Sequence, residues 1–348
     1  MKAVELTGVS RLEVCSRELA PLDEHSVLLK VEAVGVCGSD LRIYRNGDPR
    51  VSFPRIMGHE IAGTIADKGK EVRGFEIGDR VALGAHIPCG VCRYCIEGQG
   101  QHCVKGWTIG YQFDGGFAEY VVLNREMMLN GSVCELEDHT PFDEACLAEP
   151  LSCVMNGLKR LSVRPGETVV VFGVGAIGGM FISLLKKMGA GKIIAVQRSE
   201  ERRKLAWKLG ADICIDPAQN SVTETILEHT GGYGCDVSIV TVPSNEVQNQ
   251  TLTAMRKQGR VLFFAGLPKH LTTELNTNSI VYKELSLLGV HGASRLDHQD
   301  AVKWINRKFI DMSPFITHRY SLEDTEKAFA ATEQKLGLKS VVLPSRKP

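Results

Sequence analysis

The sequence predicts an α/β protein with two domains, one rich in short strands and one built on a doubly wound parallel sheet. Its 348 residues are enough for two domains of about 100–200 residues each. Up to about Glu149, short β-like runs such as 61–65 and 79–83 are separated by Gly, Pro and Asp. From about Gly166, continuous apolar runs alternate with helical stretches, which is typical of a parallel sheet covered on both faces.

The second zone contains six strand-like runs with helical stretches between them: 168–172, 192–196, 212–215, 236–242, 260–265 and 285–290. After about Gly292, the chain has one helical stretch, over 297–309, and two short β-like runs. We expect this last part to rejoin the N-terminal domain. The predicted domains are therefore 1–155, 156–292 and 293–348, with the third segment completing the first.

Composition excludes several classes of function. Lysine plus arginine equals aspartate plus glutamate at 41 each, so no overall charge attracts nucleic acid or a membrane surface. No signal peptide is recognisable, and the most apolar stretch, 173–185, is shorter than the roughly 20 residues that span a bilayer. We therefore expect a cytoplasmic protein, in which the eleven cysteines favour thiolate metal ligands over disulfides.

A glycine-rich stretch predicts a dinucleotide site. It contains Gly173, Gly175, Ala176, Ile177 and Gly178, and it lies between a predicted strand and a predicted helix. In such a G-x-G-x-x-G turn, the first glycine makes the turn and the second admits the pyrophosphate. The third packs helix against strand, and the helix N-terminus faces the phosphates. The alternative is a glycine-rich turn that binds nothing.

The residues after the second strand of this zone bear on the choice of cofactor. An acidic side chain at this point holds the ribose 2′-hydroxyl of NAD, whereas this chain has Gln197. Without that carboxylate, a 2′-phosphate meets no repulsion, and Arg198 and Arg202 can pair with it. The sequence favours NADP(H) over NAD(H). Alternatively, Arg198 stacks on the adenine or faces water.

Four cysteines predict a structural metal site. They follow the pattern C-x2-C-x2-C-x7-C and are Cys89, Cys92, Cys95 and Cys103. Four thiolates from one short loop suit tetrahedral Zn²⁺ with no open position. An iron–sulfur cluster also uses four cysteines, but nothing else in the sequence indicates electron transfer. Buried free thiols fit this spacing poorly.

A second set of metal-binding residue types is dispersed along the chain. Cys37, His59 and Glu149 form a credible zinc set by residue type. Taken singly, however, Cys37 would more often be a core residue and His59 more often a structural histidine. Composition and spacing cannot connect residues that lie more than a hundred positions apart.

The order of the motifs supplies that connection. The chain resembles the zinc-containing medium-chain dehydrogenase/reductase superfamily, and within it the polyol (sorbitol/L-iditol) dehydrogenase branch. The motifs that carry the resemblance are VCGSD (36–40), GHE (58–60), the four-cysteine lobe, DGGFAEY (114–120), AEPLS (148–152) and GVGAIG (173–178). The resemblance implies a GroES-like catalytic domain split around a Rossmann domain, with the active site in the cleft between them, and a homodimer or homotetramer.

The same resemblance implies two zinc ions per chain. The catalytic zinc would be surrounded by Cys37, His59 and Glu149, with Glu60 a direct or exchangeable ligand. Primary-alcohol enzymes of the superfamily have a second cysteine at the position of Glu149, and polyol dehydrogenases have a carboxylate there. The structural zinc would be held by the four-cysteine lobe.

Further residues take roles by resemblance. Ser39 corresponds to the hydroxyl that relays the substrate proton, and Asp40 would orient His59 through its other ring nitrogen. Arg42 stands where the family often has a histidine that passes the proton to solvent. His291 or Arg295 could contact a substrate hydroxyl or phosphate, although subunit packing or solvent exposure explains them as well. Asn156 stands where related enzymes often have a histidine.

These observations predict an oxidoreductase that interconverts a secondary alcohol of a polyol or sugar derivative, phosphorylated or not, and its ketone. The hydride carrier would be NAD(P)(H), and the substrate would be a small alcohol or ketone. One alternative is amino-alcohol oxidation of the L-threonine 3-dehydrogenase kind, since that branch shares the Cys/His/Glu zinc set. Another is a catalytically silent, cofactor-binding sensor. A missing zinc ligand would indicate such a protein, but all residues of the zinc set are present in this sequence.

Overall fold

The computed structural model describes residues 1–346, and the chain divides into two compact units. The first unit comprises Met1–Ser152 and Gly292–Pro348, and the second comprises Cys153–His291. Among the described residues, no helix is both long and apolar enough to cross a bilayer.

The N-terminal part of the first unit is mainly β-structure. Its strands are β1 (Lys2–Gly8), β2 (Arg11–Ser16), β3 (Val27–Gly35), β4 (Arg55–Ile56), β5 (Glu60–Lys68), β6 (Arg80–Gly84), β7 (His86–Ile87), β8 (Trp107–Thr108), β9 (Tyr120–Leu123) and β10 (Ser132–Glu135). Its helices are α1 (Gly38–Asn46), α2 (Arg93–Ile96), α3 (Arg125–Asn130) and α4 (Phe142–Ala145), and α5 (Ala148–Leu161) leads into the second unit. A 3₁₀ turn covers Gly100–His102.

Strand β3 shows why this part folds as a sheet. Val27, Leu29 and Val31 alternate with more polar neighbours, and all three are fully buried. This period of two directs one face of the strand into the core. Strands β5 and β9 both pair antiparallel with β3, so β3 lies inside the sheet.

The second unit is a six-stranded parallel sheet with helices. Its strands are β11 (Thr168–Phe172), β12 (Lys192–Val196), β13 (Ile213–Ile215), β14 (Cys235–Val240), β15 (Met255–Phe263) and β16 (Ser286–Gly289). Its helices are α6 (Ala176–Lys187), α7 (Glu200–Leu209), α8 (Val222–His229), α9 (Asn245–Gln250) and α10 (Thr277–Lys283). The spatial order β13-β12-β11-β14-β15-β16 reverses between β11 and β14, which makes the sheet doubly wound. The predicted α/β fold is confirmed.

The last segment returns to the first unit. It contains α11 (Arg295–Asn306), a 3₁₀ turn (Ser313–Phe315), β17 (Ile316–Tyr320), α12 (Thr325–Glu333) and β18 (Lys339–Val342). Strand β18 pairs antiparallel with β3, with Val342 opposite Val34. The large sheet of this unit therefore has the order β10-β6-β5-β3-β18-β17, with β9 also paired to β3.

Candidate functional site

Three side chains of the first unit form a possible metal site. The Sγ atom of Cys37, a ring nitrogen of His59 and a carboxylate oxygen of Glu60 lie within 4.8 Å of one another. Cys37 is the N-cap of α1, and the other two residues lie where β5 begins. His59 is 5% exposed and Glu60 is fully buried.

Two glycines make room for this cluster. A Cβ atom on Gly35, which is paired with Glu60 across β3 and β5, would lie 2.0 Å from Glu60 Oε2. Gly58 has φ +93°, a left-handed conformation that favours glycine, and a Cβ there would lie 2.9 Å from Val34. The backbone can therefore deliver His59 and Glu60 to the cluster only because both positions lack a side chain.

Asp40 contacts both Cys37 and His59. One of its oxygens accepts a hydrogen bond from the Cys37 backbone N–H at 2.9 Å, and the other lies 3.3 Å from His59 Nδ1. Burial opposes a charged imidazole, but the carboxylate of Asp40 and the sulfur of Cys37 outweigh it and raise the pKa of His59. Ser39 Oγ lies 3.4 Å from the other ring nitrogen, Nε2.

The donor set fits Zn²⁺. Thiolate, imidazole and carboxylate are its usual protein ligands. Glu60 Oε2 is buried and has no hydrogen-bond partner among the described residues, whereas His59 Nδ1 and Asp40 Oδ1 face each other. An unsatisfied buried carboxylate oxygen is costly, so its position beside Cys37 and His59 is what a cation site predicts.

Lys339 is a site residue that the sequence analysis missed. It begins β18, is 7% exposed, and its Nζ lies 2.5 Å from Glu60 Oε1. Burial opposes its charge, but the carboxylate of Glu60 and the sulfur of Cys37 raise the pKa of the ammonium group. Glu60 therefore has one oxygen bound to a lysine and one without a hydrogen-bond partner. The sequence signal that could have identified Lys339 is its position at the start of the apolar run KSVV, residues 339–342.

Replacing Lys339 by methionine is expected to lower the free energy of unfolding by about 3–5 kcal/mol, because the carboxylate of Glu60 would lose its buried partner. Chemical denaturation of the metal-free protein measures this loss. Lys327→Met is the matched control, since Lys327 pairs with Asp324 on the surface and its side chain is 74% exposed. If both variants were equally stable, the pair with Glu60 would have no structural importance.

Glu149 is the second residue of α5 and is buried beside the same cluster. Burial raises its pKa to about 7; the positive charge of His59 opposes this shift and the negative charge of Glu60 adds to it. Glu149 thus interacts electrostatically with two of the three clustered residues. The ligand atoms that converge within 4.8 Å are those of Cys37, His59 and Glu60.

Two arginines lie near this cluster. Arg42 and Arg50 both donate to Asp48, at distances of 2.9–3.0 Å. The Arg50 guanidinium lies 4.6 Å from the ring centroid of Tyr111, and this centroid is 6.1 Å from that of the His59 ring. Arginine stays protonated in proteins, so Arg42 cannot carry a proton onward as a histidine at this position would.

The four-cysteine lobe has the geometry of a tetrahedral metal site. The Sγ–Sγ distances are 3.4 Å for Cys92–Cys95, 3.8 Å for Cys92–Cys103 and 3.9 Å for Cys89–Cys95. Four sulfurs at 2.3 Å from a central Zn²⁺ would be about 3.8 Å apart. All four cysteines are free, so no disulfide accounts for their approach.

Backbone N–H groups of the lobe stabilise the thiolate form of two of its cysteines. Hydrogen bonds from Val104 and Cys95 lower the pKa of Cys92 to about 6. The pKa of Cys89 is lowered in the same way, first by the backbone N–H of Val91. Burial instead raises the pKa of Cys95 to about 12. Thiolates are the metal-binding form of cysteine, so Cys89 and Cys92 are the two ligands that the backbone prepares for a cation.

The glycine-rich loop of the second unit has the geometry of a phosphate-binding turn. Gly173 has φ +92°, and a Cβ on Gly178 would lie 1.9 Å from the Gly173 carbonyl oxygen. A Cβ on Gly175, the N-cap of α6, would meet nothing within 4 Å. Ala176 and Ile177 form the first turn of that helix. The open space therefore lies at the glycine where a pyrophosphate is expected to approach.

The turn after β12 is held by an arginine that the sequence analysis did not single out. Arg203 donates to the carbonyl oxygens of Gln197 and Arg198 and pairs with Asp216 at 3.0 Å. The side chain of Arg198 is exposed, and Arg202 is partly buried. Fixing the turn through Arg203 leaves Arg198 able to meet a ligand.

Comparison with known proteins agrees with this geometry. The model of the alcohol dehydrogenase GroES-like domain matches residues 23–132, and that of the zinc-binding dehydrogenase domain matches residues 176–307. Sorbitol dehydrogenase of Halalkalibacterium halodurans is 31% identical, over 99% of both chains. L-threonine 3-dehydrogenase of Caldanaerobacter subterraneus is 32% identical, over 90% of both chains. A predicted zinc-binding dehydrogenase of Sinorhizobium meliloti, solved with bound NADP, is 28% identical over 99% of both chains, with a TM-score of 0.92.

Proposed function

Because the chain belongs to the zinc-containing medium-chain dehydrogenase/reductase superfamily, in its polyol dehydrogenase branch, we propose that it interconverts a secondary alcohol of a polyol or sugar derivative and its ketone. The hydride carrier is NAD(P)(H). The observation that carries the proposal is the buried convergence of Cys37, His59 and Glu60. An intact ligand set disfavours a silent cofactor-binding sensor.

The residues of the first unit have distinct roles in this reaction. Cys37, His59 and Glu149 hold the catalytic zinc, and Glu60 is a direct or exchangeable ligand. Bound zinc supplies Lewis acidity, which makes the substrate hydroxyl easier to deprotonate. Ser39 relays the proton of that hydroxyl towards solvent, and Asp40 keeps the His59 ring oriented. The four cysteines of the lobe hold a second, structural zinc.

The second unit holds the cofactor. Gly173, Gly175 and Gly178 let the backbone approach the pyrophosphate at the N-terminus of α6. Gln197 carries no charge that would repel a 2′-phosphate, and Arg198 and Arg202 pair with that phosphate. The preferred cofactor in this proposal is NADP(H).

Replacing Arg198 by alanine is expected to raise KM for NADPH at least about 10-fold and to leave KM for NADH nearly unchanged, because only the former has a 2′-phosphate. Steady-state rates with each cofactor measure the two constants. Lys208→Ala, an exposed change in the last turn of α7, the helix that follows Arg198, is the control. Equal effects on both cofactors would contradict a phosphate contact.

The substrate class is tested with a panel of alcohols. Zinc-loaded enzyme is assayed with sorbitol, xylitol, L-iditol, phosphorylated hexitols and L-threonine, each with NAD⁺ and NADP⁺. We expect turnover with one or more polyols or their phosphates. Turnover of threonine alone would instead support the amino-alcohol reaction, which the similarity to L-threonine 3-dehydrogenase makes the second candidate.

A further inference from the structure

The first unit contains a cavity of about 270 Å³ beside the predicted catalytic residues. Its walls come from the turn between β6 and the lobe, the lobe itself, the end of α3, the start of α5 and the start of α11. Many of the lining residues are small, among them Gly84, Gly100, Ser132 and Ser152. The volume lies just below the roughly 300–1,000 Å³ of small-molecule sites, which limits an occupant to a few carbon atoms.

His298 gives this cavity a buried polar wall. The side chain is 2% exposed, and its Nδ1 lies 3.0 Å from Ser132 Oγ. Its Nε2 has no hydrogen-bond partner among residues 1–346. Burial lowers the pKa of His298 to about 4 against a smaller, opposite effect of the Leu83 carbonyl, so the ring is neutral at neutral pH.

The close approach of His298 depends on a glycine. A Cβ on Gly84 would lie 2.9 Å from Ser132 Cβ and 3.2 Å from His298 Cγ. Any other residue at position 84 would therefore push on the imidazole and on its hydrogen-bond partner. The packing holds the ring in one place although one of its nitrogens is left without a partner.

Gln101, in the 3₁₀ turn of the lobe, supplies a second polar atom to the same cavity. Its Oε1 is buried and likewise has no hydrogen-bond partner in the described chain. An amide oxygen only accepts hydrogen bonds, so the missing group must be a donor. Glu149 also lines the cavity and is an acceptor when ionised.

The polar atoms of the cavity wall determine which functional groups can bind there. The unpartnered nitrogen of a neutral imidazole is a donor in one tautomer and an acceptor in the other, and a hydroxyl group satisfies either. A hydroxyl also donates to the oxygens of Gln101 and Glu149. Phosphate or carboxylate would meet acceptor oxygens at Gln101 Oε1 and at ionised Glu149. Arg295, the cation of the cavity wall, is exposed and lies 3.4 Å from the Leu129 carbonyl.

We propose that this cavity binds hydroxyl groups of a polyhydroxylated substrate, with His298 and Gln101 as specificity-determining residues. The proposal rests on the proposed function, because it assumes that the reacting carbon lies at the cluster of Cys37, His59 and Glu60. Glu149 connects the two places, since it interacts with His59 and also lines the cavity. A chain of several hydroxylated carbons therefore extends past Glu149 into the cavity, and a short diol does not.

The test compares a long and a short substrate in matched variants. The kcat/KM ratio of xylitol to 2,3-butanediol is measured for the wild type, His298→Leu, Gln101→Met and Leu336→Ala. The ratio is expected to fall about 10-fold or more in the first two variants, because each leaves a substrate hydroxyl without its buried partner. The calorimetric Kd of xylitol should rise by a similar factor. Leu336, an exposed leucine that does not line the cavity, is the control, and its variant should keep the wild-type ratio.

Each other outcome has a definite meaning. An unchanged ratio in folded His298→Leu and Gln101→Met would overturn the subsite and leave water as the occupant. An equal loss for both substrates would also overturn it, since that result indicates a structural role. If His298→Leu does not fold, the ratio measured for Gln101→Met alone tests the proposal. If xylitol is not a substrate, the polyol of the panel that is oxidised takes its place. If the wild type oxidises no polyol of the panel with either cofactor, the proposed function itself fails, and the subsite fails with it.

Discussion

Replacing Cys37 by serine is expected to lower kcat/KM by at least about 1,000-fold while the protein stays folded. A serine hydroxyl is not ionised at neutral pH and is a poor zinc ligand, so the cluster with His59 and Glu60 would lose its only thiolate. The fold should survive because Cys37 is the N-cap of α1, and serine is a favoured residue at that position. Zinc content should fall from two ions per chain to one.

Elemental analysis, circular dichroism and steady-state rates on the same preparation check this expectation. Cys15→Ser is the matched control, because Cys15 is a half-buried cysteine in β2 that belongs to neither metal cluster. That variant should keep both ions and full activity. Activity of Cys37→Ser within a few-fold of the wild type would contradict the assignment of Cys37 as a ligand.

The fold of the second unit could be predicted because its signals are local. The predicted strands 168–172 and 192–196 coincide with β11 and β12, and the helical stretch expected between 192–196 and 212–215 forms α7. Each is an unbroken apolar run or a capped helix bounded by glycine or serine. The structure adds detail at α11, which begins at Arg295 because Ser294 and Asp297 form a capping box at its start.

The residues around the site were less accessible to sequence reasoning. The roles of Gly35 and Lys339 depend on which strands pair with which, since Glu60 is opposite Gly35 in the sheet and β18 returns from the far end of the chain. The cavity near His298 is formed by four separate segments. No spacing pattern reports such contacts, because the packing of distant segments creates them. The ligand motifs could be found only because their order along the chain is specific.

Replacing Cys92 by serine is expected to have the opposite balance of effects, with a large loss of local stability and a smaller loss of activity per folded molecule. The lobe has little core of its own: Val91, Ile96 and Val104 are 78%, 77% and 70% exposed, and α2 has only four residues. Structural zinc sites contribute about 10 kcal/mol or more in isolated zinc-finger peptides, which is comparable to the net stability of a domain. Without its metal, the segment from Cys89 to Cys103 has few other interactions to hold it.

Hydrogen exchange and limited proteolysis measure this effect directly. Backbone amides of 89–103 should lose protection in Cys92→Ser and become cleavable, while the strands β3 and β5 keep theirs. Cys37→Ser should retain the lobe's protection, because the two clusters share no residue. Cys214→Ser, a half-buried cysteine in β13, is a further control and should change neither region. Equal loss of fold in the Cys37 and Cys92 variants would mean that the two sites are not separate in function, and the division into a catalytic and a structural metal would have to be given up.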